Sequence, residues 1–290
     1  MSEQVKQTDG AEENRLSPAS DLPGLNAAER ASIERQSRPN AALIHETIRA
    51  EGESELQRSA TALLLSGLAS GLSMGFSLIV EALLRAHLPE AGWTDLVSRL
   101  GYTVGFLIVV LGRQQLFTEN TLTPVLPLLL HRNGEVLVGL LRLWALVLVA
   151  NVAGAWIIAA VLAHTSLLDP DVAEAAAKIA HHAFEPAAGQ LFLKGIFAGW
   201  LIALMAWLLP AVDGSRPFIV LLITYVVALG SFSHVIAGSV DMLYLRETGI
   251  ISFGEYVTHF FLPTLAGNTL GGVALVAGLN YGQVAHEVEG

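Results

Sequence analysis

The 290-residue chain contains no cysteine, which excludes a disulfide framework and any thiolate metal site. Charge is scarce as well: only 14% of residues are Asp, Glu, Lys or Arg, and the middle of the chain carries long runs with almost none. No apolar stretch follows Met1, so a cleavable secretory signal is not expected. The sequence has no nucleophile elbow, phosphate loop or metal-ligand cluster, and so nothing that points to an enzyme, a metal or a cofactor. A formal charge of −10 gives no basic footprint for a nucleic-acid partner.

What is present is hydrophobic. Apolar residues make up 53% of the chain and the mean hydropathy is +0.54, well above that of a soluble domain. A helix needs about 20 apolar residues to cross a bilayer core, and splitting the apolar map at its turn signals gives six spans. They cover residues 61–84, 96–112, 136–163, 190–209, 217–230 with a continuation at 235–245, and 260–281. A polar excursion at 166–189 separates the third and fourth. The reading is an all-α integral membrane protein with a channel domain at 58–282. It is preceded by a polar N-terminal tail, 1–57, and followed by a short C-terminal tail, 283–290.

The tail holds eleven acidic and six basic side chains and cannot bury a core. It reads as disordered at first and helical from Ala41, where Ala41, Ile44 and Ile48 have helical spacing. The Lys/Arg bias of the loops is even on both sides and leaves orientation open. Cytoplasmic termini are expected because a long polar tail has no signal to export it.

The two halves of the chain resemble each other. Leu111-Gly112 precedes a polar break at 113–120, and Leu229-Gly230 precedes a second at 231–238. Downstream lie Asn151-Val-Ala-Gly154 and Asn268-Thr-Leu-Gly271, at 39 and 38 residues from the respective glycines. Three spans per repeat makes the halves inverted, with spans two and five broken. Such discontinuous helices persist in lipid only where they line a cavity or are buried in protein. Amides freed at a half-helix N-terminus suit an anion.

Within the breaks, His234 is the candidate pore and proton-relay group, since ionisable residues at membrane depth usually line a pathway. The bland alternative is a satisfied structural histidine. Thr118, placed opposite it by the repeat, either bonds the histidine or satisfies a freed carbonyl. Asn151 and Asn268 are read as anchors of the broken loops. Arg113 is a possible pore charge, close enough in sequence to Glu119 for an ion pair. Lys178 lies in the excursion, where it is placed to concentrate anions at a vestibule or else simply faces solvent.

Several of these motifs resemble the formate/nitrite transporter family. They are Leu116-Phe117-Thr118, Phe232-Ser233-His234-Val235-Ile236-Ala237, the Pro263–Gly272 stretch containing Asn268, and Lys178-Ile179-Ala180-His181-His182-Ala183-Phe184. The resemblance implies an aquaporin-like, homopentameric inner-membrane protein with one pore per protomer. It implies passage of a small monovalent anion (formate, nitrite, hydrosulfide, acetate or lactate) or of its neutral acid, with lipid around the assembly. His234 and Thr118 match the family's central pair, Lys178 its vestibule lysine, and Leu116, Phe117, Ile202 and Val227 its apolar constrictions. Ser233 stands where the family has Glu, and Gly199 and Gly238 stand where it has Asn. These replacements suggest a wider central chamber. A channel for a neutral solute and a non-transporting membrane scaffold are the alternatives.

Overall fold

The computed structural model describes residues 39–212 and 214–288, so the tail before residue 39 lies outside the described residues. Helix α1 is Ala41–Leu56. Then follow α2, Ala60–His87; a short α3, Thr94–Ser98; α4, Thr103–Leu111; and α5, Val125–His131. Next come α6, Gly134–His164; α7, Pro170–Phe184; α8, Ala188–Leu208; α9, Arg216–Leu229; and α10, Val235–Glu247. A last helix, α11, covers Phe253–Gln283 and runs on to Val288, with π-helical turns at Tyr256–Phe261 and Gly271–Gly278. No strand occurs among the described residues.

Among the described residues, five helical segments are long and apolar enough to cross a membrane: Ala60–His87, Thr94–Leu111, Gly134–His164, Ala188–Ala211 and Phe253–Gln283. Helix α9 is apolar but shorter. Local chemistry fixes several ends. Ser59 Oγ accepts from the Ala62 amide at 3.2 Å to start α2, and Asn133 Oδ1 accepts from the Val136 amide at 2.9 Å to start α6. Ser252 and Glu255 form a reciprocal capping box at the head of α11.

Expected boundaries differ in places. The excursion at 166–189 contains a regular helix, α7, opened by Pro170 at its first turn. The second break is shorter than 231–238, because the His234 side chain caps α10 and helix resumes at Val235. Helix α1 lies in the compact unit that begins at Ala41. It lays Ile48 into a buried apolar cluster with Leu122, Leu126, Leu140 and Val276. Helix α11 continues to Val288.

Close approach between α2 and α6, and between α8 and α11, depends on matched glycines. A Cβ on Gly71 would lie 2.1 Å from the Asn151 carbonyl oxygen, and one on Gly199 would lie 2.2 Å from that of Asn268. Only glycine lets these backbones meet.

Candidate functional site: the junction of two interrupted helices

Both breaks have the same backbone. Helix α4 ends at Gly112 and helix α9 at Gly230, and the next residue in each case turns left-handed: Arg113 at φ 51° and Ser231 at φ 47°. Such a turn costs a non-glycine residue of order 1 kcal/mol. The same bonds recover it in each half. Gln114 N donates to Val109 O at 2.9 Å, and Phe232 N donates to Val227 O at 3.0 Å.

Each loop is then clamped by one asparagine. Asn151 Oδ1 accepts from Phe117 N at 2.9 Å, and its Nδ2 donates to Gly67 O and Gln115 O at 2.8 and 2.9 Å. Asn268 Oδ1 accepts from Val235 N at 2.8 Å, and its Nδ2 donates to Gly195 O and Ser233 O, both at 2.8 Å. Both amides are fully buried and use three bonds to tie a loop to a neighbouring helix. The clamps, the cap and the close helix packing use up the freed amides of Phe117, Val235 and Ala237 within the protein. These three are therefore not open to an anion.

The clamps also fix the register of the repeat. Gln115 matches Ser233 and Phe117 matches Val235, so the counterpart of His234 is Leu116, and Thr118 corresponds to Ile236. Thr118 nevertheless meets the histidine, from two residues further along: its Oγ1 lies 2.7 Å from His234 Nε2, and both side chains are buried. His234 Nδ1 accepts from the Ala237 amide at 3.1 Å. An amide only donates, so Nδ1 carries no proton; the neutral ring holds its hydrogen on Nε2 and donates it to Thr118. A second ring proton would have to displace the Ala237 amide and uncap α10. The Phe106 ring stands edge-on to the imidazole at 4.9 Å between centroids.

Apolar side chains seal the surroundings. Leu116, Phe117, Ile202 and Val227 are all buried in one cluster with Phe106, Val109, Val235 and Ile236. A cavity opens toward each break. The first break contributes Arg113, Gln114, Gln115, Glu119 and Asn120 to a vestibule of about 670 Å³, which α1 lines with Glu51 and Glu55. The second contributes Ser231 to His234 to a smaller cavity of about 60 Å³, with Val227, Glu81, Arg99, Lys194 and Asp241 among its walls.

Arg113 lies in the vestibule with 74% of its side chain exposed, and its Nη2 bonds Glu51 Oε1 at 2.9 Å, so Glu51 on α1 and not Glu119 is its partner. Lys178 lines neither cavity. It is 72% exposed on α7 and pairs with Glu174 at 2.7 Å, a contact of little energetic weight. The cations lining the small cavity are Arg99 and Lys194. Gly199 and Gly238 do not widen the chamber: the Asn268 backbone fills the first position, and the Phe260 ring would lie 2.2 Å from a Cβ at the second.

The sequence reading missed Glu55. Its Oε1 accepts from Gln115 Nε2 at 3.0 Å, and Gln115 Oε1 accepts from Asn120 Nδ2 at 2.8 Å, which connects α1 to the first break. The other oxygen of Glu55 is buried without a partner. Burial pushes this carboxyl up to about 7, against the Gln115 bond and the nearby Arg58 and Arg113. The signal was available, since Ile48, Gly52 and Glu55 recur at helical spacing on one face.

Comparison with known proteins agrees with this architecture. The formate/nitrite transporter family model matches residues 42–282. The inner membrane protein YfdC of Escherichia coli K12 is 39% identical over 248 residues, covering 86% of this chain and 80% of that protein. A probable formate transporter of Methanothermobacter thermautotrophicus is 31% identical over 210 residues, 64% of this chain and 74% of that one. A solved pentameric formate channel with formate bound superposes at a TM-score of 0.67 with 21% identity, over 78% of this chain and 98% of its own. An FNT family ion channel superposes at 0.70 with 20% identity, over 83% and 98%. These solved neighbours share the fold, and they are channels, not enzymes. With clamped breaks, a buried histidine at their junction and a family match from residue 42 to residue 282, the chain belongs to the formate/nitrite transporter family.

Proposed function

We propose that this protein is a channel for small monovalent anions of the formate/nitrite type, linked to protons because the species that crosses the His234–Thr118 junction is the neutral acid. The observation that carries this reading is the junction itself, where one imidazole–hydroxyl pair is buried inside an apolar seal between two cavities that each hold charged side chains. A bare anion in that seal loses its hydration without gaining a cation, which costs several kcal/mol. A protonated acid loses far less. The Thr118 hydroxyl, having accepted from His234, retains its own hydrogen to donate to the acid as it passes. Leu116, Phe117, Ile202 and Val227 keep the crossing dry, and Asn151 and Asn268 hold the loops.

The topology that accompanies this function is six spans in two inverted halves, α9 with α10 making the fifth. The assembly is a homopentamer in the inner membrane with both termini cytoplasmic. Large exposed apolar side chains such as Leu65, Val138, Val149 and Phe218 are suited to lipid or neighbouring protomers.

The test is an uptake panel of formate, nitrite, acetate, lactate and hydrosulfide in proteoliposomes at two external pH values. Uptake that rises as external pH falls supports the reading. One observation favours a neutral solute instead: the vestibule sets Arg58, Arg113 and Arg216 among the carboxyls of Glu51, Glu55 and Glu119, which weakens its attraction to an anion. Flux insensitive to pH and membrane potential would select that alternative.

A further inference from the structure

We propose, resting on the neutral-acid reading above, that Asp241 is the group that supplies the proton on the His234 side of the junction. His234, Gly238 and Asp241 are spaced four and three residues apart on α10, which places them on one face, and all three line the small cavity. Seven residues of helix put Asp241 roughly 10 Å from His234 along the axis. The glycine between them leaves a side-chain-free step against the Phe260 ring.

The carboxylate differs from the other one in this cavity. Glu81 has Arg99 Nη1 at 3.6 Å, whereas the Asp241 side chain makes no hydrogen bond or ion pair among the described residues. Its carboxyl is half-buried and lines the cavity, so it can exchange protons with water or with an entering solute instead of being held by a fixed donor of the protein.

The facing groups suit a loading station. Glu81 reaches in from α2, Arg99 and Tyr102 from the segment between α3 and α4, His182 from α7 and Lys194 from α8. With Asp241 protonated, Glu81 alone opposes Arg99 and Lys194 and an anion is drawn in; once Asp241 has given up its proton the charges balance and the neutral acid is not held. At about 60 Å³ the space suits a solute the size of about two waters. His234 is poorly placed for the donation, because its Nδ1 is occupied by the Ala237 amide and its Nε2 hydrogen by Thr118.

The step balances simply. The O–H bond of the Asp241 carboxyl breaks while its proton bonds an oxygen of the entering anion, and the electron pair stays on Asp241. The neutral acid moves to the junction, and Asp241 regains a proton from solvent through the cavity. Nothing is oxidised or reduced.

Two readouts test this in the full-length protein in liposomes. The first is formate uptake against external pH for the wild type, Asp241→Asn and Asp241→Glu. Asp241→Asn is expected to lower uptake near neutral pH by at least about tenfold and to flatten its rise on acidification, while Asp241→Glu retains both. The second is infrared difference spectroscopy, in which a protonated-carboxyl band titrates with external pH in the wild type and is missing in Asp241→Asn. Unchanged rate and pH profile in Asp241→Asn, with no band lost, overturns the proposal and leaves the channel reading standing. A band lost in Asp241→Asn in a protein that moves no acid removes the channel reading and keeps Asp241 as the proton-exchanging group.

Discussion

The two halves of this protein share a scaffold and divide the chemistry. Each interrupts a helix after a glycine, turns one non-glycine residue left-handed, and clamps the loop with a buried asparagine through three bonds of 2.8–2.9 Å. At the matched position the first half has Leu116 and the second has His234. The first break faces a large vestibule beneath α1, and the second a cavity about a tenth the size. Repetition therefore supplies the support for two loops, and single substitutions on it supply function. One half closes the junction with an apolar side chain, and the other places a hydrogen-bonding ring there.

The largest expected effect tests the shared scaffold. Asn151→Ala and Asn268→Ala each strand a buried amide and two carbonyls, at about 1–3 kcal/mol per unsatisfied group. Each should therefore lower stability by roughly 3 kcal/mol or more, read as a fall in the unfolding temperature in detergent. Sensitivity in only one half would break the comparison. Gly71→Ala and Gly199→Ala should follow, at roughly 1–3 kcal/mol each, because the new methyl meets a backbone carbonyl that cannot move away.

Thr118→Val acts on the difference between the halves. It leaves the His234 Nε2 hydrogen buried without an acceptor, again at roughly 1–3 kcal/mol, and should slow formate uptake in stopped-flow assays. The Glu55 carboxyl is raised from 4.5 to about 7, so docking of α1 is disfavoured when that carboxyl ionises. The contribution is fully present below about pH 4.5 and lost as pH rises through about 7. Hydrogen exchange in α1, corrected for intrinsic rates, should accelerate across that window, and Glu55→Gln should remove the acceleration. The smallest effect belongs to Lys178→Gln, which should change stability by less than about 0.5 kcal/mol and leave uptake unaltered.

Much of the fold was legible because lipid imposes it. Long apolar runs, a glycine before each break and an asparagine 39 or 38 residues later are one-dimensional signals with few structural solutions. The legible part of the site was the part inside a helix or break, namely His234, Thr118 and the two asparagines. Thr118 reaches His234 although the exact repeat register pairs the histidine with Leu116, two residues earlier in the first break. The vestibule contacts were illegible for a different reason. Arg113 finds Glu51 from 62 residues away, and Gln115 finds Glu55 from 60. The cations of the small cavity come from the connector before α4 and from α8, a juxtaposition that no local pattern encodes. Gly199 and Gly238 misled because a missing side chain reads as space, whereas neighbouring groups occupy both positions.

The most direct test replaces His234 so that the second half resembles the first. His234→Leu removes the ring from the junction, whereas His234→Asn retains an acceptor for the Ala237 amide and a donor for Thr118. With both variants verified as folded by size-exclusion profile and unfolding temperature, initial rates of formate uptake into liposomes are compared with the wild type across external pH. The neutral-junction account expects His234→Leu to abolish nearly all uptake and His234→Asn to conduct with the wild-type pH profile. Wild-type rates and pH dependence in His234→Leu would contradict it.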